Sequence, residues 1–510
     1  MKDSTNPLQK LSPGKQALLT GTLLLTFTGL ITRILGFFYR IFLSRTIGAE
    51  GLGIFQLVHP VFGICFALCA GSIQTAISQS VAGHMKKGRS IFRTGFLISI
   101  TISVVLAMGI IHFKDFLAVR VLMEPRCAPL LPFIAVSIPC SAIHACLNGY
   151  YYGIQHPKVP AFAQVAEQAV RIGAVFLIAD IMIESGMEIT VQLAVLGHLI
   201  GEAASSLFTV TAYQFFPPKR PGGFQSEKSS FTETAPDLMH LALPLMGNRL
   251  VLNVLASAEA ILIPSRLQAW GLSGSEAFSV YGVLTGMALP FILFPSAIFN
   301  SLAVLLLPTV AKAQSEGNNQ KIGTAVSMCL RYCLYVGILC IGVFILFGKD
   351  LGISVFKNET AGTYINILAW LCPFLYLATT MGSILNGLGK TSVTFMQNAG
   401  ALGVRLAFVI FGIPRFGILA YLVGMLSSEL LLALLHVAAL KKRVVFIWNV
   451  WDMIVKPAGM MALAVGLYFA AGYIGDPFAG LPLFVKTAFH IIAVSGIYFL
   501  LLLGAHALKK

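Results

Sequence analysis

The chain has 510 residues, of which 57% are hydrophobic and only 11% are charged, and its mean hydropathy is +0.84. Repeated long apolar runs at this proportion exclude an ordinary soluble domain and are typical of a polytopic helical membrane protein. The net charge of +15 comes largely from Lys and Arg spread over short loops. We interpret that charge as a topology signal and expect no nucleic acid partner.

Fourteen apolar segments follow one another along the chain, each long enough to cross a hydrocarbon core about 30 Å thick. Lys and Arg are enriched in alternate loops, which places both termini in the cytoplasm under the positive-inside rule. The segments run near 17–45, 53–82, 93–113, 129–153, 160–180, 190–215, 237–265, 278–311, 322–347, 363–388, 394–414, 417–440, 453–475 and 483–508.

Two arginines, Arg33 and Arg40, lie within the first segment. A guanidinium at the centre of a bilayer costs about 2.5–3.5 kcal/mol on insertion scales, so such a residue usually faces a polar cavity. All basic residues at helix depth are Arg, the side chain that holds phosphate or carboxylate through a planar fork. They are Arg33, Arg40, Arg171, Arg249, Arg331 and Arg405.

An internal repeat divides the chain. LNGYYYG at 147–153 with AVRI at 169–172 recurs as LNGLG at 385–389 with GVRL at 403–406. The repeated unit holds six segments, an even number, so the two copies are parallel repeats. We expect an all-α protein whose two six-helix bundles form a V-shaped central cavity. Its parts are an N-terminal bundle (1–216), a cytoplasmic linker (217–236), a C-terminal bundle (237–440) and two additional transmembrane helices (441–510).

Carboxylates at helix depth share this repeat. Arg171 and Glu202 have the counterparts Arg405 and Glu429, and each pair lies at matched predicted depth on neighbouring segments. We therefore predict one buried intramembrane ion pair in each half, with a structural role. Glu167 lies one helical turn before Arg171 and can share its pairing.

Arg33, Arg40 and Arg249 lack such a repeated acidic partner, and we interpret them as substrate-binding cations of the cavity. Glu259 is the acid that could neutralise or couple to them. The alternative, in which these arginines snorkel or bind backbone carbonyls, stays open. Histidines within the segments are expected to be satisfied core residues rather than a proton relay: His59, His144, His198, His436 and His490.

The nine cysteines predict neither a disulfide framework nor a metal site. Cys65 and Cys69, like Cys329 and Cys333, are spaced i, i+4 on apolar segments, where a free thiol acts as a small hydrophobe. Glycine-rich pieces follow no strand, so a nucleotide-binding loop is not expected. We expect no metal and no cofactor, and coupling to Na⁺, H⁺ or the membrane potential is left open.

Four stretches carry a resemblance to a known family: TRILGFFYRIFLSRTIGAEGLGIFQL (32–57), AEQAVRIGAV (166–175), LALPLMGNRL (241–250) and YGVLTGMALPFILFPSAIFNSLAVLLLP (281–308). Together they resemble the stage V sporulation protein B branch of the polysaccharide-export superfamily. That superfamily also holds multidrug (MATE-type) antiporters, O-antigen flippases and the lipid II flippase of peptidoglycan synthesis. The resemblance covers essentially the whole chain. It implies a MATE-like fold in the bacterial cytoplasmic membrane and the flipping of undecaprenyl-pyrophosphate-linked sugars.

The chain departs from the lipid II flippase branch at several positions. Arg33 matches the first arginine of its SR-x-L-G-F-x-R pattern, but Arg40 comes one residue after the second. Ile54 and the apolar stretch Gly63–Phe66 stand where that branch carries an aspartate and a further arginine. The identity of the glycan therefore does not follow from the resemblance.

We predict a transporter, not an enzyme, that flips a lipid-linked oligosaccharide or peptidoglycan precursor by alternating access, for cell wall, spore cortex or polysaccharide synthesis. Its partners would be an anionic lipid-linked glycan and membrane lipids, and we expect it to work as a monomer. The alternative is a cation-coupled MATE-type multidrug or small-solute exporter, whose cavity would be dominated by carboxylates. A glycan polymerase or ligase would need a large outer loop with acids or His, and 114–128 has only Asp115 and Glu124. A non-transporting scaffold is a further class.

Overall fold

The computed structural model describes residues 13–215, 229–472 and 480–505, and these residues are almost wholly helical. The α-helices are α1 (Pro13–Thr46), α2 (Gly48–Phe66), α3 (Ser72–Gly83), α4 (Gly88–His112), α5 (Lys114–Phe116), α6 (Leu131–Gly153), α7 (Lys158–Glu184), α8 (Val191–Phe215), α9 (Phe231–Trp270), α10 (Gly274–Gly282), α11 (Leu289–Leu293), α12 (Ser296–Ser315), α13 (Asn319–Phe356), α14 (Glu359–Leu368), α15 (Leu371–Gly387), α16 (Thr391–Ala407), α17 (Ile413–Phe416), α18 (Ile418–Lys441), α19 (Lys456–Gly472) and α20 (Leu483–Gly504).

Thirteen helical stretches of the described chain are long and apolar enough to cross a membrane, and the bent pair α14 and α15 makes a fourteenth if it counts as one span. The predicted all-α polytopic architecture with about fourteen spans is thereby confirmed. The agreement is not uniform, because the predicted segment 278–311 is broken between Leu293 and Ser296. Pro295 lies in this break, and proline cannot donate the backbone hydrogen bond that would continue the helix.

The linker prediction covers 217–236. Residues 217–228 of it lie outside the described part of the chain. The last residues of the predicted linker belong to α9, which starts at Phe231 and continues for 40 residues. Polar residues such as Thr232 and Glu233 thus form the first turn of a helix, where an acidic side chain is favoured by the helix dipole.

Packing divides the chain into two compact units. Unit 1 contains the chain up to Ile47 together with Ile54–Ile261, and unit 2 contains Gly48–Gly53 and the chain from Leu262 onward. The larger part of α9 thus packs with unit 1, where Leu238 of α9 is buried in the same core as residues of α3, α4 and α6. The division at 216 and 237 that the repeat predicts stays a prediction.

The repeated LNG sequence makes the same helix contact in each unit. In unit 1, a Cβ atom on Gly149 of α6 would lie 2.6 Å from the carbonyl oxygen of Gln74 on α3. In unit 2, a Cβ atom on Gly387 of α15 would lie 2.8 Å from the carbonyl oxygen of Leu307 on α12. A side chain at either glycine would force these helix backbones apart. The repeat is therefore visible in the packing as well as in the sequence.

A π-helical segment, Ala67–Gly71, joins α2 to α3, and Val283–Ala288 joins α10 to α11. Such segments leave backbone carbonyls outside the regular α-helical pattern, and a membrane offers no water to satisfy them. In unit 1 hydroxyl groups add hydrogen bonds to carbonyls of this segment. Ser99 of α4 donates to the carbonyl of Cys69, and Thr75 donates to that of Gly71 at 3.1 Å.

The predicted membrane orientation can be tested by single-cysteine labelling. Arg89→Cys, on the predicted cytoplasmic side, should be protected from a membrane-impermeant maleimide in intact cells, and Glu188→Cys, on the predicted outer side, should be labelled. Both native residues are exposed. After permeabilisation both variants should react. The reverse pattern in intact cells would contradict cytoplasmic termini.

The native chain should give little background in this experiment. All of its cysteines except Cys140 are buried. Burial, with a contribution from the Glu124 carboxylate, raises the pKa of the Cys127 thiol to about 12. Because the thiolate is the reactive form, Cys127 in the predicted outer loop should label slowly at neutral pH.

Candidate functional site

Arg33 and Arg40 lie seven residues apart on α1, which places them on one helix face about 10 Å apart. Arg33 is exposed and Arg40 is half-buried. Between the two, Tyr39 is buried, and its hydroxyl would lie 3.0 Å from a Cβ atom on Gly197 of α8. The first helix is thus anchored in unit 1 by Tyr39, next to a face that carries two guanidinium groups.

Arg249 of α9 lies against the joint between α2 and α3. Its Nη2 donates a hydrogen bond of 3.0 Å to the hydroxyl of Thr75. Its Nη1 lies where a side chain on Gly71 would begin, and the ring of Phe66 adjoins the same point. Thr75 in turn donates to the carbonyl of Gly71. The π-helical joint and its glycine therefore form the seat of this guanidinium.

One further polar residue of α9, Asn253, extends this seat, and the acid Glu259 lies further along the same helix. Asn253 is one turn after Arg249, and its side-chain nitrogen donates to the Arg249 carbonyl at 2.8 Å. The Asn253 oxygen would lie 3.1 Å from a Cβ atom on Gly63 of α2. Glu259 is buried, with 5% of its surface exposed. By packing, Arg249 and Glu259 lie in unit 1 with Arg33 and Arg40.

In unit 1, Arg171 pairs with one of the two acids predicted for it, and the other acid has a different partner. Arg171 forms an ion pair with Glu167 one turn earlier on α7. Its Nε also lies close to α8, because a Cβ atom on Gly201 would be 2.7 Å away. Glu202, the next residue, instead binds the Nε2 of His144 on α6 at 2.8 Å. The partner of Glu202 that sequence reasoning missed is therefore a histidine.

More imidazole and hydroxyl groups surround this network. The rings of His59 and His198 lie 5.6 Å apart, and Phe62 packs edge-on against His198 at 4.7 Å. Several buried polar atoms here have no hydrogen-bond partner among the described residues. They are Tyr39 Oη, His144 Nδ1, Gln168 Oε1, Arg171 Nε and His198 Nε2. The sequence held one signal for this cluster, since His198 and Glu202 lie one turn apart on α8.

Unit 2 holds the second predicted ion pair, with Arg405 Nη1 at 3.8 Å from Glu429 Oε1. Glu429 also lines a cavity of about 370 Å³ together with Asn386, Asn398 and His436. His436 is held by Gln397, whose Oε1 lies 2.7 Å from His436 Nδ1. Gln397 donates from its own amide nitrogen to the carbonyl of Leu435, so we assign the proton of this bond to Nδ1. His436 Nε2 then carries no proton, and it lies next to Gly382.

The Arg171–Glu167 pair predicts a large stability effect. Arg171→Ala should lower the melting temperature and the folded yield strongly, because removing one partner of a buried ion pair costs about 3–5 kcal/mol. Lys312→Ala is a matched control, since Lys312 and Glu316 form an i, i+4 pair with both side chains about half exposed, worth about 0–1 kcal/mol. Thermal unfolding of purified protein measures both. Equal stability of the two variants would contradict a structural role for Arg171.

The seat of Arg249 predicts that Gly71 tolerates no side chain. Gly71→Ala should destabilise the protein by about 1–3 kcal/mol, because the added carbon meets both Arg249 and Phe66. Gly36→Ala on α1 is the control, since a Cβ atom there meets nothing within 4 Å. The control should unfold at the wild-type temperature or above, as Ala favours helix over Gly. Similar melting temperatures for both variants would contradict the close contact.

The family described as "Polysaccharide biosynthesis protein" matches residues 18–314. The chain is 28% identical over 512 residues to stage V sporulation protein B of Bacillus subtilis (strain 168), with 97% of each chain covered.

Among solved structures, it is similar to a lipid II flippase MurJ in an inward closed conformation, with TM-score 0.72, 12% identity and coverage of 96% of this chain and 100% of that one. An inward-facing multidrug resistance MATE family transporter gives TM-score 0.63 and 16% identity, with coverage of 83% and 99%. The predicted MATE-like fold and the predicted family are confirmed. The chain therefore belongs to the polysaccharide biosynthesis protein family, as a multi-pass membrane protein.

Proposed function

We propose that this protein flips an undecaprenyl-pyrophosphate-linked oligosaccharide or peptidoglycan precursor across the bacterial cytoplasmic membrane by alternating access. The family and the names of its relatives, a sporulation protein and a lipid II flippase, support a transporter of lipid-linked precursors. The relatives do not decide which glycan is carried. Polysaccharide, cell wall and spore cortex precursors share the anionic pyrophosphate. This shared group is the part of the substrate that the candidate site would bind.

The observation that carries the proposal is the arrangement of Arg249. One of its N–H groups is bonded to Thr75, which fixes the direction of the guanidinium. In the described part of the chain no other side chain pairs with it, so most of its N–H groups stay available. A planar guanidinium held in this way can bind two phosphate oxygens at once, which an ammonium cannot do as well.

Arg33 and Arg40 extend the proposed site along α1. Arg33 is exposed and has no hydrogen-bond or ion-pair partner among the residues that the structure describes. A chain that keeps such a guanidinium on a membrane helix incurs a cost that a passing anion would offset. Glu259 is buried on the same helix as Arg249, and we propose it as the internal counter-charge and coupling acid.

A second candidate function is a cation-coupled exporter of MATE type. It is favoured by the buried network of Glu202, His144, Glu167 and Arg171, which could exchange a proton or a cation. We place it second because Arg33 and Arg249 of the proposed site are cations, and these suit an anionic substrate rather than a cationic drug. We also propose that the protein acts as a monomer with both termini in the cytoplasm.

The proposed clamp is tested by replacing Arg33 and Arg249 with Ala or Lys at equal membrane abundance. Each Ala variant should reduce flipping on the order of tenfold or more, because a hydrogen bond to a charged group is worth about 1.5–3 kcal/mol. Each Lys variant should recover part of the loss. Arg120→Ala, at an exposed position between α5 and α6, is the control and should be fully active. Full activity in both Ala variants would exclude the clamp.

The substrate class is tested by depletion. Cells that lose the protein should accumulate one undecaprenyl-linked intermediate on the cytoplasmic leaflet, and the headgroup of that intermediate identifies the glycan. Re-expression of the wild-type chain should clear it, whereas the Arg249→Ala chain should not. Unchanged lipid intermediates, together with reduced efflux of organic cations, would favour the exporter.

A further inference from the structure

A short basic and aromatic segment connects α18 to the next membrane span. It reads KKRVVFIWNVW over Lys441–Trp451, and it lies wholly in unit 2. The spans Ile418–Lys441 and Trp451–Gly472 flank it. Residues 444–449 form neither helix nor strand. The function proposed above assigns no role to this segment.

The backbone of this segment sets its depth. Its peptide groups are not paired within a helix, and hydrocarbon cannot satisfy them, so a lipid-exposed segment of this kind lies at the headgroup level. The connection between the two spans is also too short to extend far from the membrane surface. The segment is therefore an interfacial strip that runs along one face of the membrane.

Specific contacts hold the strip against α13 and against the end of α18. The backbone N–H of Ile447 donates to the hydroxyl of Ser327 at 2.9 Å. The carbonyl of Val445 packs directly on Gly323, at the point where a side chain would begin. Arg443 donates from Nη1 to the carbonyl of Ala439 at 2.6 Å. These contacts keep the strip in one place, so the side chains on its other side form a defined surface.

That surface is strongly apolar. Exposure is 95% for Val445, 72% for Ile447, 66% for Trp451 and 45% for Trp448. Such a patch on a water-exposed loop would be unfavourable. Tryptophan prefers the boundary between acyl chains and headgroups, where the ring is apolar and the N–H can reach water. The strip is thus suited to dip into this boundary.

A groove of about 330 Å³ lies between the strip and the end of α18. Its lining is apolar apart from one charge, and consists of Val437, Lys441, Val444, Val445, Phe446 and Trp448. Lys442 and Arg443 follow Lys441 directly and are exposed. Within the described residues no carboxylate pairs with these three cations. An apolar groove with a cluster of unneutralised cations at its rim matches an amphiphile that carries an anionic head.

We propose that this groove binds an anionic phospholipid of the membrane. One acyl chain would lie along Val437 and Phe446, while the phosphate group contacts Lys441 and Lys442. Trp448 would cover the glycerol region. The match rests on charge complementarity, since a zwitterionic lipid offers the same chains but no net charge to the three cations. The proposal is independent of the glycan that the protein carries.

Tryptophan quenching tests the proposal on the full-length chain. The protein has four tryptophans, so Trp270→Phe and Trp370→Phe leave only Trp448 and Trp451 as reporters. The protein is placed in phosphatidylcholine nanodiscs with a small fraction of brominated phosphatidylglycerol or brominated phosphatidylcholine. Brominated phosphatidylglycerol should quench at a concentration lower by on the order of tenfold, because each basic residue near the surface adds about 1 kcal/mol, or fivefold. The preference should shrink as salt is raised.

The chain offers a matched control for charge. Lys441→Gln, Lys442→Gln and Arg443→Gln together should abolish the preference. Lys86→Gln, Lys87→Gln and Arg89→Gln remove three cations from another predicted cytoplasmic loop and should leave it unchanged. Equal quenching by the two brominated lipids, a preference that survives raised salt, or a preference that survives the first triple variant would each overturn the proposal. The salt titration uses the reporter protein alone, so the test does not depend on the triple variant folding.

Discussion

Charge in a low-dielectric environment must be compensated, and the interior of this protein is arranged around that requirement. A guanidinium that leaves water without a partner is strongly destabilising, whereas one that finds a carboxylate or several oxygen acceptors is tolerated. The chain meets the requirement in two ways. Arg171 and Arg405 face carboxylates, Glu167 and Glu429. Arg249 faces a single neutral hydroxyl, that of Thr75. Among the residues that the structure describes no carboxylate pairs with it, so its charge is oriented but not neutralised.

The two units share a close helix–helix contact but differ in the polar residues of their interiors. Gly149 and Gly387 bring equivalent helices into backbone contact. Five residues before each of these glycines, unit 1 has His144 and unit 2 has Gly382. His144 binds Glu202. In unit 2 the missing imidazole is partly replaced by His436 from α18, whose Nε2 would lie 3.0 Å from a Cβ atom on Gly382. Glu429 beside it lines an open cavity, so the repeat has kept the carboxylate and changed its surroundings.

Much of the fold could be predicted from the sequence because the signals are local. Apolar length gives the spans, and the repeated residues gave the matched depth that brings Arg405 near Glu429. The Glu202–His144 contact joins α6 and α8, and nothing in the spacing of either segment selects that pairing over Arg171. The packing of α9 with unit 1 depends on side chains such as Leu238, which look like any other apolar residue of a span. Pro295 indicates a disturbance in the helix, but whether a membrane helix kinks or ends at a proline depends on its neighbours.

Gly71 shows how local helix propensity and contacts between helices act at one residue. A glycine in a helix costs about 1 kcal/mol relative to Ala, and here it also ends a π-helical segment. The space that it leaves is filled by the Arg249 guanidinium and the Phe66 ring rather than by lipid or by its own side chain. The glycine therefore lowers local helix propensity at a position where Arg249 of α9 reaches the joint between α2 and α3. If Arg249 served only to fill this space, an apolar residue would do so without the cost of a charge. A guanidinium that Thr75 orients without neutralising its charge is what the proposed binding of an external anion requires.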